Sequence, residues 1–123
     1  MKTTRLIPLA CALGLAALLA GCAGNASKSL YSWNGYEKQV YSYLRSEGAS
    51  NEEQILALEK GRTESGARNA ALPPGYLAHL GLLYLHTGRT DDALRAWEEE
   101  KTAFPESARY IDYLIGNMKK KAG

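Results

Sequence analysis

Residues Pro74–Ser107 read PGYLAHLGLLYLHTGRTDDALRAWEEEKTAFPES, and this stretch decides the fold. Pro73 and Pro74 break the chain, and proline opens a helix at no cost because a first-turn amide has no intrahelical partner. The spacing predicts a helix from Gly75 to Thr87, stopped at Gly88. Thr90 is placed to cap a following helix over residues 91–103, with Asp91 and Asp92 where negative charge suits the helix dipole. Gly81 and Ala93 are small where two antiparallel helices would touch. Leu77, Leu80, Tyr84 and Trp97 are sized to fill the space around that contact.

This length and spacing are those of a tetratricopeptide unit, a helix-turn-helix repeat of about 34 residues. Leu77 stands where the pattern usually has Trp, and Glu100 where it usually has a small residue that packs on the next helix. Upstream, Tyr36, Gln39, Val40 and Tyr43 repeat the three-four-seven spacing on a predicted first helix over 34–46, stopped by Glu47-Gly48. Ser50 and Glu53 form a capping-box pair that opens a second helix over 51–66. Ile55, Leu56, Ala57 and Leu58 make its apolar stripe, and Ala57 and Gly61 are the small sites expected of a degenerate repeat. Pro105 is expected to start a fifth helix, with Tyr110, Ile111, Leu114, Ile115 and Met118 on one side, as a cap on the array. No segment alternates as a strand does. The expected fold class is all-α, with antiparallel helix-pair (tetratricopeptide-like) repeats, about five helices, in one domain over residues 30–121. Stacked repeats bury a core only against neighbours, so a single clear unit needs such flanks.

At the other end, Leu19-Ala20-Gly21-Cys22 closes an apolar run from Leu6 to Ala20 that follows Lys2 and Arg5. That is the anatomy of a bacterial export signal ending in a lipobox. The run falls short of the roughly 20 apolar residues a spanning helix needs. Residues 1–21 are therefore expected to leave as a lipoprotein signal peptide, with Cys22 lipidated and residues 22–29 a small, polar tether. Two or more acyl chains hold a protein on a bilayer where one is marginal. Ala23 in place of an Asp favours the periplasmic face of the outer membrane.

Without Lys2 and Arg5 the precursor's net charge of +2 falls away, basic and acidic residues are equal in number, and nothing suggests nucleic acid. Of the two cysteines, Cys11 lies in the signal and Cys22 is the lipidation site, so no thiol remains for a disulfide, a metal or a nucleophile. His79 and His86 lack companion ligands for a metal. Glu98, Glu99 and Glu100 read as a solvated helix face rather than an acid–base pair. Serines and aspartates are present without an elbow motif or a neighbouring histidine. No catalytic residue, and no cofactor beyond a covalent lipid on Cys22, is expected.

Binding is the better class. The first helix of each repeat lines the concave side, which here makes Ala78, Leu82, Leu85 and His86 the candidate partner-binding groove. Repeats that clamp a carboxylate carry Lys and Asn at such sites, and this chain does not. The helix is apolar nearly all round, so another surface covers it: the first or fifth helix of the same chain, or a partner helix, a peptide or a second copy. Tyr31, Trp33 and Tyr36, with Tyr41 and Tyr43, either pack the first end of the array or form an aromatic interaction surface beside the anchor. Lys119, Lys120 and Lys121 suit a helix C-terminus, with contact to lipid phosphate or peptidoglycan as the other reading.

The stretch Leu30-Tyr31-Ser32-Trp33-Asn34-Gly35-Tyr36, together with the lipobox and the repeat, resembles the small lipoproteins grouped as domain of unknown function 4810. The resemblance covers essentially the whole chain after the signal, and the aromatic stretch is its distinctive motif. It implies a helical-repeat lipoprotein, commonly encoded beside a curli-secretion-channel-like lipoprotein and another small lipoprotein, and so a shared envelope complex. It implies no catalytic residues. The expected function is an outer-membrane-anchored, non-enzymatic scaffold or assembly factor for such a complex, with other envelope lipoproteins as partners. The alternatives are a pilotin-like escort of a channel subunit, a peptidoglycan-binding regulator, and a homo-oligomer.

Overall fold

Gly35 and Gly75 both take the left-handed conformation, with φ of 76° and 88°, which glycine reaches without a Cβ penalty. A tyrosine follows each as the first residue of a helix: α1, Tyr36–Arg45, and α3, Tyr76–His86. Just ahead of these bends Tyr31 and Ala71 form a parallel bridge, and the Ser32 amide donates to the Ala71 carbonyl at 2.8 Å. Two halves of the chain therefore enter their first helices through the same bend, held side by side. This is the structural counterpart of the spacing shared by Tyr36, Gln39, Val40 and Tyr43. The computed structural model describes residues 29–46 and 48–122. Cys22, the signal over 1–21 and the tether up to residue 28 lie outside the described residues, as do Glu47 of the first helix stop and the side chain of Lys121.

From α1 the chain turns into α2, Asn51–Ala67. The capping box is made in full: Ser50 Oγ accepts from the Glu53 amide at 3.3 Å, and the Glu53 carboxylate accepts from the Ser50 amide at 2.9 Å. The next hairpin turns over Thr87-Gly88 into α4, Thr90–Ala103. Thr90 does not cap it. Thr90 is already helical, and Arg89 stands at the cap position without a capping side-chain bond. The Arg89 guanidinium instead pairs with Asp92 at 2.7 Å and lies 4.3 Å over the Tyr84 ring. Pro105 likewise opens only a 3-10 turn, Pro105–Ser107, before α5 runs over Ala108–Ala122. Five helices and no strand occur among the described residues, so the all-α expectation holds.

The α3–α4 pair is the closest in the molecule. A Cβ on Gly81 would overlap the Trp97 indole, and the indole Nε1 donates to the Ala78 carbonyl at 3.0 Å. Around α3 lie Ile55 and Leu58 of α2, Ala93 and Ala96 of α4, and, through Trp97, Ile111 of α5. Full burial of each large aliphatic side chain stabilises by about 1.5–3 kcal/mol, and α3 supplies the greater part of this surface. Its apolar circumference is thus covered mostly from within the chain.

Polar bonds fix the bend before α1. Asn34, left-handed at φ 40°, donates from Nδ2 to the Gly61 carbonyl and to Ser65 Oγ, both at 2.8 Å, and Arg68 donates to its Oδ1 at 2.9 Å. Ser65 is buried, so water does not replace its bond to Asn34. On the surface, Arg62–Glu99 joins α2 to α4 and Lys101–Asp112 joins α4 to α5. Exposed pairs of this kind contribute at most about 1 kcal/mol each.

Candidate functional site

One cavity of about 260 Å³ opens between α1, α3 and the start of α5. Its floor is α3, through Gly75, Ala78, His79 and Leu82. Its wall is α1, through Tyr36, Val40, Tyr43 and Leu44, and Tyr110 at the start of α5 closes the far side. The rim is open, with Leu44 75% and Tyr110 55% exposed.

A ladder of rings sets α1 in this position. Trp33 stacks on Tyr36 at 6.2 Å, and Tyr36 packs on Tyr76 at 5.1 Å and edge-on to His79. Tyr43 meets His79 edge-on at 5.1 Å and stacks on His86 at 6.0 Å. Such ring pairs add about 0.5–1.5 kcal/mol each beyond their buried area, and this row fastens α1 along α3.

The lining is electrically neutral. Burial pushes the His79 imidazole below its ordinary value, so the ring is uncharged at neutral pH. Burial pushes the Tyr36 phenol up, with the carboxylates of Glu100 and Glu37 adding to the effect, and burial does the same to Tyr43. His79 Nε2 is buried and meets no hydrogen-bond partner among the described residues.

Of the four residues expected to form the groove, the structure brings together Ala78 and Leu82. Leu85 instead packs between the two halves of the core, and His86 is exposed at the end of α3, where it lines a separate cavity beside the α1–α2 turn. The groove is displaced toward the N-terminus of α3 because Tyr36 anchors α1 against Tyr76 and His79. The α1 wall and Tyr110 were missing from the sequence-based set. Tyr36, Val40, Tyr43 and Leu44 do share one face at helical spacing, which was the available signal.

The aromatic stretch divides between packing and surface. Tyr31 is half-buried, edge-on to Phe104 at 6.1 Å, and Tyr36 joins the core. Trp33 keeps an exposed face, at 41%.

Glu100 corrects the reading of Glu98, Glu99 and Glu100 as one solvated face. Glu98 and Glu99 are exposed, but Glu100 is buried at 1% exposure. Its two oxygens accept from the Gly75 amide at 2.6 Å and the Leu77 amide at 3.2 Å. These are unpaired donors at the positive end of α3, so a carboxylate there is stabilising. Glu100 continues the stripe of Ala93, Ala96 and Trp97, and that register was the signal for burial.

Among the described residues no group of three or more His, Cys, Asp or Glu side chains is placed to hold a metal ion. No helix there is long and apolar enough to cross a membrane.

The sequence profile of Domain of unknown function (DUF4810) matches residues 30–114, a span that contains every residue of the groove. Comparison with curated proteins and with solved structures returns no match. The profile covers more than half of the sequence, and the chain belongs to the family Domain of unknown function (DUF4810).

Proposed function

We propose that the chain is a lipoprotein held by Cys22 on the periplasmic face of the outer membrane, and that its tetratricopeptide-like domain is a non-enzymatic scaffold or assembly factor for an envelope complex. The observation that carries this reading is the groove of Gly75, Ala78, His79 and Leu82 walled by α1 and Tyr110: concave, uncharged and open at the rim. Concave apolar sites with few polar groups are where proteins take ligands and partners. The acyl anchor concentrates such a groove at one membrane, and a curli-secretion-channel-like lipoprotein is the partner that family context favours.

The test is co-purification from crosslinked envelopes. Leu82→Lys should lose the co-purifying envelope protein while the circular dichroism spectrum keeps its helical amplitude, and Cys22→Ala should lose it by leaving the membrane. Undiminished recovery with Leu82→Lys would remove the groove from the account. A pilotin-like role uses the same groove and differs in outcome: deleting the protein would then strand a channel subunit in the inner membrane.

A further inference from the structure

We propose that the end of the domain nearest its anchor, built from Leu30, Trp33 and Arg68, rests on the phospholipid headgroups of the membrane and holds the domain in one orientation there. This rests on Cys22 being the lipid anchor, and it adds a second, non-covalent contact with the same bilayer.

The backbone brings the three residues to one end. The segment ahead of α1 lies beside the α2–α3 turn through the Tyr31–Ala71 bridge. Arg68, at the close of α2, donates to Ser32 Oγ at 3.4 Å and to Asn34 Oδ1 at 2.9 Å, the neighbours of Trp33 on either side. A cleft of about 480 Å³ opens between the two segments, with Leu30, Arg68, Asn69 and Ala71 in its lining.

The side chains here suit a bilayer surface. Leu30 is 85% exposed, and Trp33 keeps its exposed face in water. Indole rings settle at the headgroup level, where one end is apolar and the other wet. The Arg68 guanidinium and its Nε meet neutral acceptors: the Glu64 carbonyl, Ser32 and Asn34. No carboxylate lines the cleft, and Glu64, one turn back, lies 4.0 Å from Lys60. Glu37 and Glu106 are exposed outside it. Arg68 therefore keeps its positive charge for a phosphate, whose oxygens a guanidinium matches, and anionic lipid draws basic groups to the surface.

Position selects a bilayer over a protein. Residues 22–29 span at most about 29 Å even when fully extended. With Cys22 acylated, Leu30 never strays farther than that from the headgroups, so the bilayer is present at this end at a high effective concentration. Contacts too weak to hold a free protein then suffice. Trp33 also stacks on Tyr36 of the groove wall, so the same contact sets the groove beside the membrane.

The experiment reads tryptophan fluorescence from the acylated full chain in vesicles of phosphatidylethanolamine and phosphatidylglycerol, brominated on the acyl chains near the headgroups. Of the two tryptophans, Trp97 is buried in the core, so quenching reports Trp33. Emission should fall at least twofold relative to unbrominated vesicles, a loss that Trp33→Phe should abolish. Leu30→Ser and Arg68→Gln should each restore at least half of the lost emission with the helical spectrum unchanged. Arg68→Gln also gives up bonds to Ser32 and Asn34, whereas Leu30 is exposed and its replacement spares the fold. Leu56→Trp combined with Trp33→Phe moves the reporter to an exposed site about 18 Å back along α2, where no quenching is expected. Equal quenching at positions 33 and 56, none at position 33, or none of it relieved by Leu30→Ser would overturn the proposal. Vesicle flotation separates the two claims: a protein that floats with Trp33 unquenched sinks this inference alone, and one that does not float removes the anchor as well.

Discussion

Replacing Glu100 tests whether a buried carboxylate really holds the start of α3. In Glu100→Gln one oxygen still accepts from an amide, while the new NH₂ group faces the other as donor against donor. The loss is one hydrogen bond to a charged acceptor, about 1.5–3 kcal/mol, together with the favourable charge–dipole term, up to about 2 kcal/mol where partly buried. Relief of the desolvation cost of a buried charge offsets part of this, leaving about 2–3 kcal/mol of destabilisation. Glu100→Ala strands both the Gly75 and Leu77 amides and leaves a cavity under Gly75, so it should cost about 3–5 kcal/mol. For a domain of this size 1 kcal/mol moves the melting temperature by about 4–8 °C, and urea unfolding followed by circular dichroism resolves such differences. Glu98→Gln is the control: Glu98 is exposed and pairs with Lys101 at 3.5 Å, so it should stay within about 0.5 kcal/mol of wild type. If Glu100→Gln also stays within that range, the cap contributes nothing and the argument from its geometry fails.

Further outcomes are tied to particular contacts. Gly81→Ala should destabilise by about 1–3 kcal/mol because its Cβ overlaps Trp97, whereas Gly116→Ala in α5, with open space around it, should stabilise by up to about 1 kcal/mol; paired thermal melts check both. Asn34→Ala removes the donor to Gly61 and Ser65 and should cost about 1–3 kcal/mol, read from urea midpoints. Burial holds the His79 imidazole below its unfolded value of 6.5, so as pH falls through that value the unfolded chain takes up a proton first. Stability should be full above pH 6.5 and decline on acidification toward the lower folded value, a slope that His79→Gln should flatten. Burial pushes the Tyr76 phenol up to about 12, and its hydroxyl donates to the Leu58 carbonyl at 2.6 Å; stability present below pH 10 should be lost as pH rises from there, less so in Tyr76→Phe.

The α3–α4 hairpin was legible in the sequence because its determinants are local: Gly81 opposite Trp97, a stop at Gly88, and helix-length spacing on either side. The Ser50–Glu53 box was legible for the same reason, since both partners lie within one turn. The start of α4 was misread because a threonine before two aspartates looks like a cap, while the Arg89 guanidinium bonded to Asp92 and laid over Tyr84 moves the helix boundary by one residue. Glu100 was misread because its partners, the amides of Gly75 and Leu77, lie a whole helix pair earlier in the chain. The groove was half legible. Ala78 and Leu82 follow from the concave face of a first helix, but Leu85 turns into the core and His86, stacked on Tyr43, lines a separate cavity at the α1–α2 turn. How α1 and Tyr110 come together over that face depends on the packing of all five helices, which no local pattern encodes.

The proposed function stands or falls on the groove of α1, α3 and Tyr110 being where this domain meets its partner. Photocrosslinking from position 82 in native envelopes, compared with position 60 on the exposed face of α2, tests it most directly. An adduct with another envelope protein is expected from position 82 but not from position 60, and its loss is expected in Cys22→Ala. Equal adducts from both positions, or none from position 82, would contradict it.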